Sequence, residues 1–173
     1  MAPLPEQVVL LDDDGTVVGT ADKATVHTTE TPLHLAFSCH VFNEAGHVLV
    51  TRRALSKKTW AGVWTNSFCG HPAPGESMEQ AIARRASVEL GIAVREVTLV
   101  LPDFRYRAID ASGIVENEIC PVFRAVSDSS VQANPDEVSE WEWVDPQSLT
   151  AAAIAAPYAF SPWLVWQLQQ LGL

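Results

Sequence analysis

A chain of 173 residues with 47% hydrophobic and 18% charged residues holds enough apolar material for one domain of ordinary size and too much for a disordered polymer. Its formal net charge of −10 argues against nucleic acid as a partner, because a phosphate-binding surface needs a broad basic field. No apolar run approaches a bilayer span, and Met1–Gln7 has no basic stretch ahead of an apolar one, so the expectation is a cytoplasmic protein without membrane contact.

The first element is a hairpin: Val8 to Leu11, a turn at Asp14-Gly15, then Thr16 to Val18. Residues 1–22 read as a peripheral hairpin on a single domain covering 1–173. Leu33 to Phe42 is β-prone; Asn43 to Gly46 turns the chain into Val48-Leu49-Val50 for a second hairpin. Ser77 to Leu90 is expected as a helix, with Ser77 and Gln80 as a capping box, Gly91 as its C-terminal cap, and Ile82, Ala86 and Leu90 as its buried stripe. Glu96 to Ile109 and Val115 to Val126 read as two long strands, Ser127 to Glu137 as loop and Glu140 to Val144 as a short strand. Pro146 to Ala155 and Pro162 to Leu171 read as closing helices. Strands and helices mix without βαβ alternation, which makes the class α+β.

Cys39, Cys69 and Cys120 are odd in number and form no disulfide framework, so they read as free thiols. Cys69 and His71 are two apart, and on extended backbone they share a face. Glu116 and Glu118 do the same, and two carboxylates on a partly buried face are costly unless a cation sits between them. His27 and His34 flank a turn-like Thr28 to Pro32. His27, His34, His71, Glu116 and Glu118 together would make a mixed nitrogen and oxygen site suited to a five- or six-coordinate divalent ion: manganese, zinc or magnesium. His40 and His47 are assigned no role. The bases concentrate at Arg52, Arg53, Lys57 and Lys58, with Arg84-Arg85 and Arg105/Arg107 as smaller groups, a focus suited to a small anion.

Gly70, Glu76, Arg84 and Glu89-Leu90-Gly91-Ile92 match the frame of the Nudix box, except that Arg85 and Val88 stand where Nudix hydrolases carry metal-holding glutamates. The chain from about Lys23 to Trp163 resembles the type I isopentenyl-diphosphate isomerases. The resemblance is carried by Thr51 to Lys58, Trp64 to Pro72, Asp103 to Arg107, Gly113 to Glu118 and Ala159 to Trp163. It implies a mixed β-sheet sandwiched by helices and a monomer or weak homodimer. The implied reaction is a proton shift in a five-carbon allylic or homoallylic diphosphate, through a tertiary carbocation. Cys69 and Glu118 would act as acid and base in an order left open. Tyr106 would hydrogen-bond Glu118, and Trp163, with Trp64 as a second candidate, would face the cation; Trp60, Trp141, Trp143 and Trp166 are expected to pack the core. By the same resemblance Lys23, Arg53, Lys57 and Arg85 contact the diphosphate, while Glu89 and the Cys69 carbonyl hold its magnesium ion. A Nudix hydrolase and a non-catalytic diphosphate-binding module are the competing readings.

Overall fold

The structure, a computed structural model, describes residues 5–172. The first four residues of the segment read for a leader, and Leu173, lie outside that range. The chain opens with β1 (Gln7–Leu11) and β2 (Val17–Asp22), paired through a turn at Gly15, whose φ of 81° suits glycine. The β-prone stretch after Leu33 divides into β3 (His34–Leu35) and β4 (Phe37–Phe42), with a break at Ala36. The Asn43 to Gly46 turn leads into β5 (Val48–Arg53), and the short strands β6 (Trp64–Thr65) and β7 (Phe68–Gly70) pair with β5 and β4. Helix α1 (Met78–Leu90) has the expected capping box and ends at Gly91 in the left-handed conformation.

The two long strands expected after α1 are four: β8 (Arg95–Leu101), β9 (Arg105–Ile109), β10 (Val115–Ile119) and β11 (Val122–Val126). Pro102 and Pro121 mark the breaks, since neither can donate to a ladder and apolar alternation alone does not reveal a change of sheet. β12 (Val138–Val144), α2 (Pro146–Ala155), a 3-10 turn over Pro157–Ala159 and α3 (Pro162–Leu171) complete the order.

Two mixed sheets result. One runs β2-β1-β3-β10-β9; the other runs β12-β5-β4-β11-β8, with β6 and β7 attached to β5 and β4. The breaks at Ala36, at Pro102 to Phe104 and at Cys120-Pro121 carry the chain between them. β4 is buried along its whole length, so its alternation divides the core. Phe37, Cys39 and Val41 pack with Ile82, Ala86 and Leu90 of α1, whereas Phe42 joins Leu149 of α2 and Leu164 and Leu168 of α3. The larger sheet is thus covered by helices on both faces, as expected. Each fully buried Leu or Ile at these contacts stabilises the fold by about 1.5–3 kcal/mol.

Candidate active site

Strand register places three candidate residues side by side. Glu118 on β10 is opposite His34 of the parallel β3 and opposite Tyr106 of the antiparallel β9. The Tyr106 hydroxyl donates to Glu118 Oε2 at 2.9 Å. His71, just past β7, brings Nε2 to 3.0 Å from Glu118 Oε1, and His34 Nε2 stands 3.3 Å from the same oxygen. His27 Nε2 lies 3.1 Å from Glu116 Oε2. One candidate ligand atom from each of His27, His34, His71 and Glu118 lies within 4.8 Å of all the others. Glu116 contributes none to that group; it stands beside His27 and accepts from Thr59 Oγ1 at 2.9 Å.

These residues fit a divalent cation. His34 Nδ1 is 2.9 Å from the Pro32 carbonyl, which accepts only, so Nδ1 carries the proton and Nε2 presents a lone pair. Neither that atom nor His27 Nε2 makes a hydrogen bond among the described residues, though both are buried against carboxylates. A lone pair facing a carboxylate calls for positive charge between them, and three imidazoles this close cannot all supply it by taking protons. Burial pulls His34 down, yet Glu118 outweighs it and leaves His34 raised; at His71 burial prevails and the net is lowered. Burial would raise the Glu118 carboxyl, but His34 and His71 hold it well below the usual range. Tyr106 is raised well above its ordinary value by burial and by Glu118, so it remains a neutral donor.

Cys69 lies on β7 opposite Ser38 of β4. Its sulfur is 3.2 Å from Ser38 Oγ and 3.4 Å from Asn66 Oδ1, and burial pushes the thiol up to about 11. Trp163, at the start of α3, donates from Nε1 to the same Asn66 oxygen at 3.2 Å and packs on Tyr106 and Trp60 with ring centroids 5.6 and 5.3 Å away. Cys69, Tyr106, Glu118 and Trp163 all line one cavity of about 250 Å³.

Lys23, Arg53, Lys57, Arg85 and Glu89 line that cavity too. Each cation already has a protein partner. Lys23 pairs with Glu6 at 2.6 Å; Arg53 donates to the Thr59 carbonyl at 2.9 Å and stands 5.3 Å over the Trp163 ring. Lys57 pairs with Glu137, and Arg85 pairs with Glu89, its Nε at 3.1 Å, and with Glu137 at 3.3 Å. Burial raises Glu89 despite Arg85 beside it, while Lys57 and Arg85 overcome burial at Glu137 and lower it. Gly70 makes this packing possible: a Cβ there would meet Arg85 Cγ at 2.7 Å and the Phe37 ring at 2.8 Å. Arg84 of α1 binds both oxygens of Glu76, in the adjoining loop, at 2.8 Å and the His71 carbonyl at 3.1 Å, which ties His71 to α1.

Sequence reasoning missed Glu137, Asn66 and Ser38. Glu137 sits in the segment read as loop, and it is aimed at the cavity because Val138 pairs with Arg53, a strand partnership that composition does not disclose. Trp64 was expected as a second aromatic facing the cavity; it packs instead beside the α2–α3 cluster. Trp60 is not plain core either, since it forms the edge-on partner of Trp163. Trp141 and Trp166, expected inside, are 39% and 38% exposed, Trp141 on an outer strand of the larger sheet and Trp166 with its ring 6.2 Å from that of Tyr106.

Comparison with known proteins gives the family. The NUDIX domain family model matches residues 32–164. The isopentenyl-diphosphate Delta-isomerase of Clavibacter michiganensis is 66% identical over 96% of this chain and 86% of its own length; that of Leifsonia xyli is 61% identical over 99% and 94%. The crystal structure of a Deinococcus radiodurans protein superposes with a TM-score of 0.74, covering 96% of this chain and 99% of that one at 22% identity, which speaks to fold alone. With the Nudix model matched over most of its length and relatives this similar over nearly all of it, the chain belongs to the isopentenyl-diphosphate Delta-isomerase family of the Nudix fold.

Proposed function

We infer that this chain interconverts isopentenyl diphosphate and dimethylallyl diphosphate. The observation that carries the reading is that Cys69 and Glu118, two groups able to move a proton, share one cavity with a neutral tyrosine, a buried tryptophan and five cationic side chains. One of the pair gives a proton to C4 of isopentenyl diphosphate, the π electrons form the new C–H bond, and C3 becomes cationic. The other takes a proton from C2, and that C–H pair becomes the new double bond. The reverse reaction exchanges the two roles. The intermediate cation requires a dry site with acid and base already placed, and Trp163 offers a π face worth up to about 2 kcal/mol when desolvated.

A divalent ion held by His27, His34, His71 and Glu118, with Glu116 alongside, would supply the charge that orients Glu118 and tunes its proton affinity. Mixed imidazole and carboxylate donors favour manganese or zinc over magnesium there. Tyr106 holds the other Glu118 oxygen. The diphosphate would take Lys23, Arg53, Lys57 and Arg85 as its contacts, with its magnesium ion on Glu89 and the Cys69 carbonyl. Arg85 and Val88 disfavour hydrolysis: Arg85 offers a cation to phosphate where a hydrolase holds metal, and Val88 is 48% exposed.

Proton NMR of isopentenyl diphosphate in deuterium oxide tests the reading. The expected result is dimethylallyl diphosphate with deuterium in the new methyl group. An unchanged spectrum from folded, metal-loaded protein, or release of orthophosphate, would overturn it.

A further inference from the structure

Trp163 and Gln167 are one turn apart on α3 and so share a face. Each ends in an N–H donor, and each donor reaches a group that touches the Cys69 sulfur. Trp163 does so through Asn66. Gln167 donates from Nε2 to Ser38 Oγ at 2.9 Å, and that oxygen is 3.2 Å from Cys69 Sγ. Ser38, Asn66 and Gln167 are completely buried, so each needs its partners inside the protein.

Donor counting fixes the direction of this chain. His40 Nε2 is 2.8 Å from Gln167 Oε1, and His40 Nδ1 has no partner among the described residues. A buried lone pair without a partner is the more common and cheaper defect than a buried N–H without one, so the proton sits on Nε2 and donates to Gln167. The Gln167 amide is thereby held with its NH2 toward Ser38. Ser38 Oγ accepts from that NH2, and its single hydrogen is left for sulfur: Cys69 at 3.2 Å or Cys120 at 3.4 Å. The Asn66 amide is fixed independently, because Nδ2 donates to the Cys39 carbonyl at 3.1 Å and the Phe68 carbonyl at 2.8 Å. Its oxygen, which can only accept, therefore faces Cys69 and receives the thiol hydrogen.

We propose that Ser38 and Gln167 are positioning residues for Cys69, Gln167 directing the Ser38 hydroxyl hydrogen onto the sulfur so that α3 sets both the aromatic wall and the reacting thiol. The proposal rests on the reading of Cys69 as a proton-transfer group. A hydroxyl donor on sulfur counts most at the moment the sulfur gives up its proton and carries charge, so it acts in the transition state more than in substrate binding.

Gln167→Glu is the sharpest test. A carboxylate of the same shape still accepts from His40 but cannot donate to Ser38, and it draws the Ser38 hydrogen away from Cys69. The expected result is a fall in kcat of about tenfold or more with KM unchanged, the signature of an interaction made in the transition state. The rate at which iodoacetamide labels Cys69 without substrate, read on its peptide by mass spectrometry, should fall with it. Ser38→Ala should reproduce both losses, and adding Gln167→Glu to Ser38→Ala should cost nothing further. Gln167→Met removes the donor without adding an acceptor for the Ser38 hydrogen, so kcat should fall by about threefold, less than in Gln167→Glu. Equal losses in the Met and Glu variants, additive losses in the double variant, or normal kcat and labelling in Ser38→Ala would overturn the proposal. Ser38→Ala carries the test alone if Gln167→Glu does not fold. Turnover surviving in Cys69→Ala would instead overturn the underlying reading of Cys69, and the labelling rate would still report on the hydrogen-bond chain.

Discussion

Cys69 and Arg85 line the same cavity, and the groups around each solve burial in opposite ways. Around Cys69 the polar atoms of Ser38, Asn66 and Gln167 are uncharged, and each donor has an assigned acceptor. Around Arg85 the atoms are charged and share partners: Glu137 serves both Lys57 and Arg85, and Arg85 serves both Glu89 and Glu137. The first arrangement defines where one atom stands, which proton transfer requires. The second leaves two cations and two carboxylates that cancel each other before a ligand arrives. A diphosphate entering there must displace a carboxylate or bring a cation of its own, which is the physical case for magnesium arriving with it.

Breaking the ordered region should cost the most. Cys69→Ala and Glu118→Gln are each expected to lower turnover by about 10²–10⁴-fold, the usual worth of a positioned acid or base, while isopentenyl diphosphate still binds by calorimetry. Near-normal rates in either variant would remove that residue from the reaction. Next comes His34→Ala. It should weaken retention of the tightly held metal by about 10–100-fold, read by elemental analysis after dialysis. Full occupancy would take His34 out of the ligand set.

The same contrast explains how much was legible in the sequence. Helix α1 was readable to its caps because Ser77, Gln80 and Gly91 are local signals. His34, Glu118 and Tyr106 were each singled out, but their adjacency comes from the pairing of β10 with β3 and β9, a long-range fact. The breaks at Pro102 and Pro121 went unread, since apolar alternation continues through a change of sheet. Charged residues of the Arg85 group announce themselves by type, although Glu137 needed its strand neighbour to be aimed. Ser38 and Gln167 gave no signal at all: a serine in a strand and a glutamine in a helix become informative only when both prove completely buried.

His40, beneath the ordered region, sharpens the comparison through pH. Burial lowers it from 6.5 to about 4, with the Gln167 contact offsetting only part of the cost. The unfolded chain therefore binds a proton between those values that the folded one refuses. Stability from this group is complete above about pH 6.5 and is lost as pH falls toward 4. Between pH 7.5 and pH 5 the loss should be about 2 kcal/mol, seen as a fall in the urea midpoint that His40→Gln lacks. A parallel pH dependence in that variant would place the acid sensitivity elsewhere.

The smallest expected effect is at the charged group. Glu137→Gln keeps the shape of the side chain and removes one of the two negative charges that occupy Lys57 and Arg85. If those cations are held in reserve for the diphosphate, removing their competitor strengthens substrate binding. KM should fall by about threefold, roughly 0.6 kcal/mol, because only one of several partially screened contacts changes. kcat should stay within twofold of wild type, to order of magnitude, since Glu137 touches none of the groups that move the proton. Weaker binding should also appear as salt rises, and more steeply in the variant, whose uncompensated cations are the better targets for screening. A rise in KM would mean that Glu137 braces Lys57 and Arg85 in their working geometry, and the charged group would then be as strictly placed as the one around Cys69.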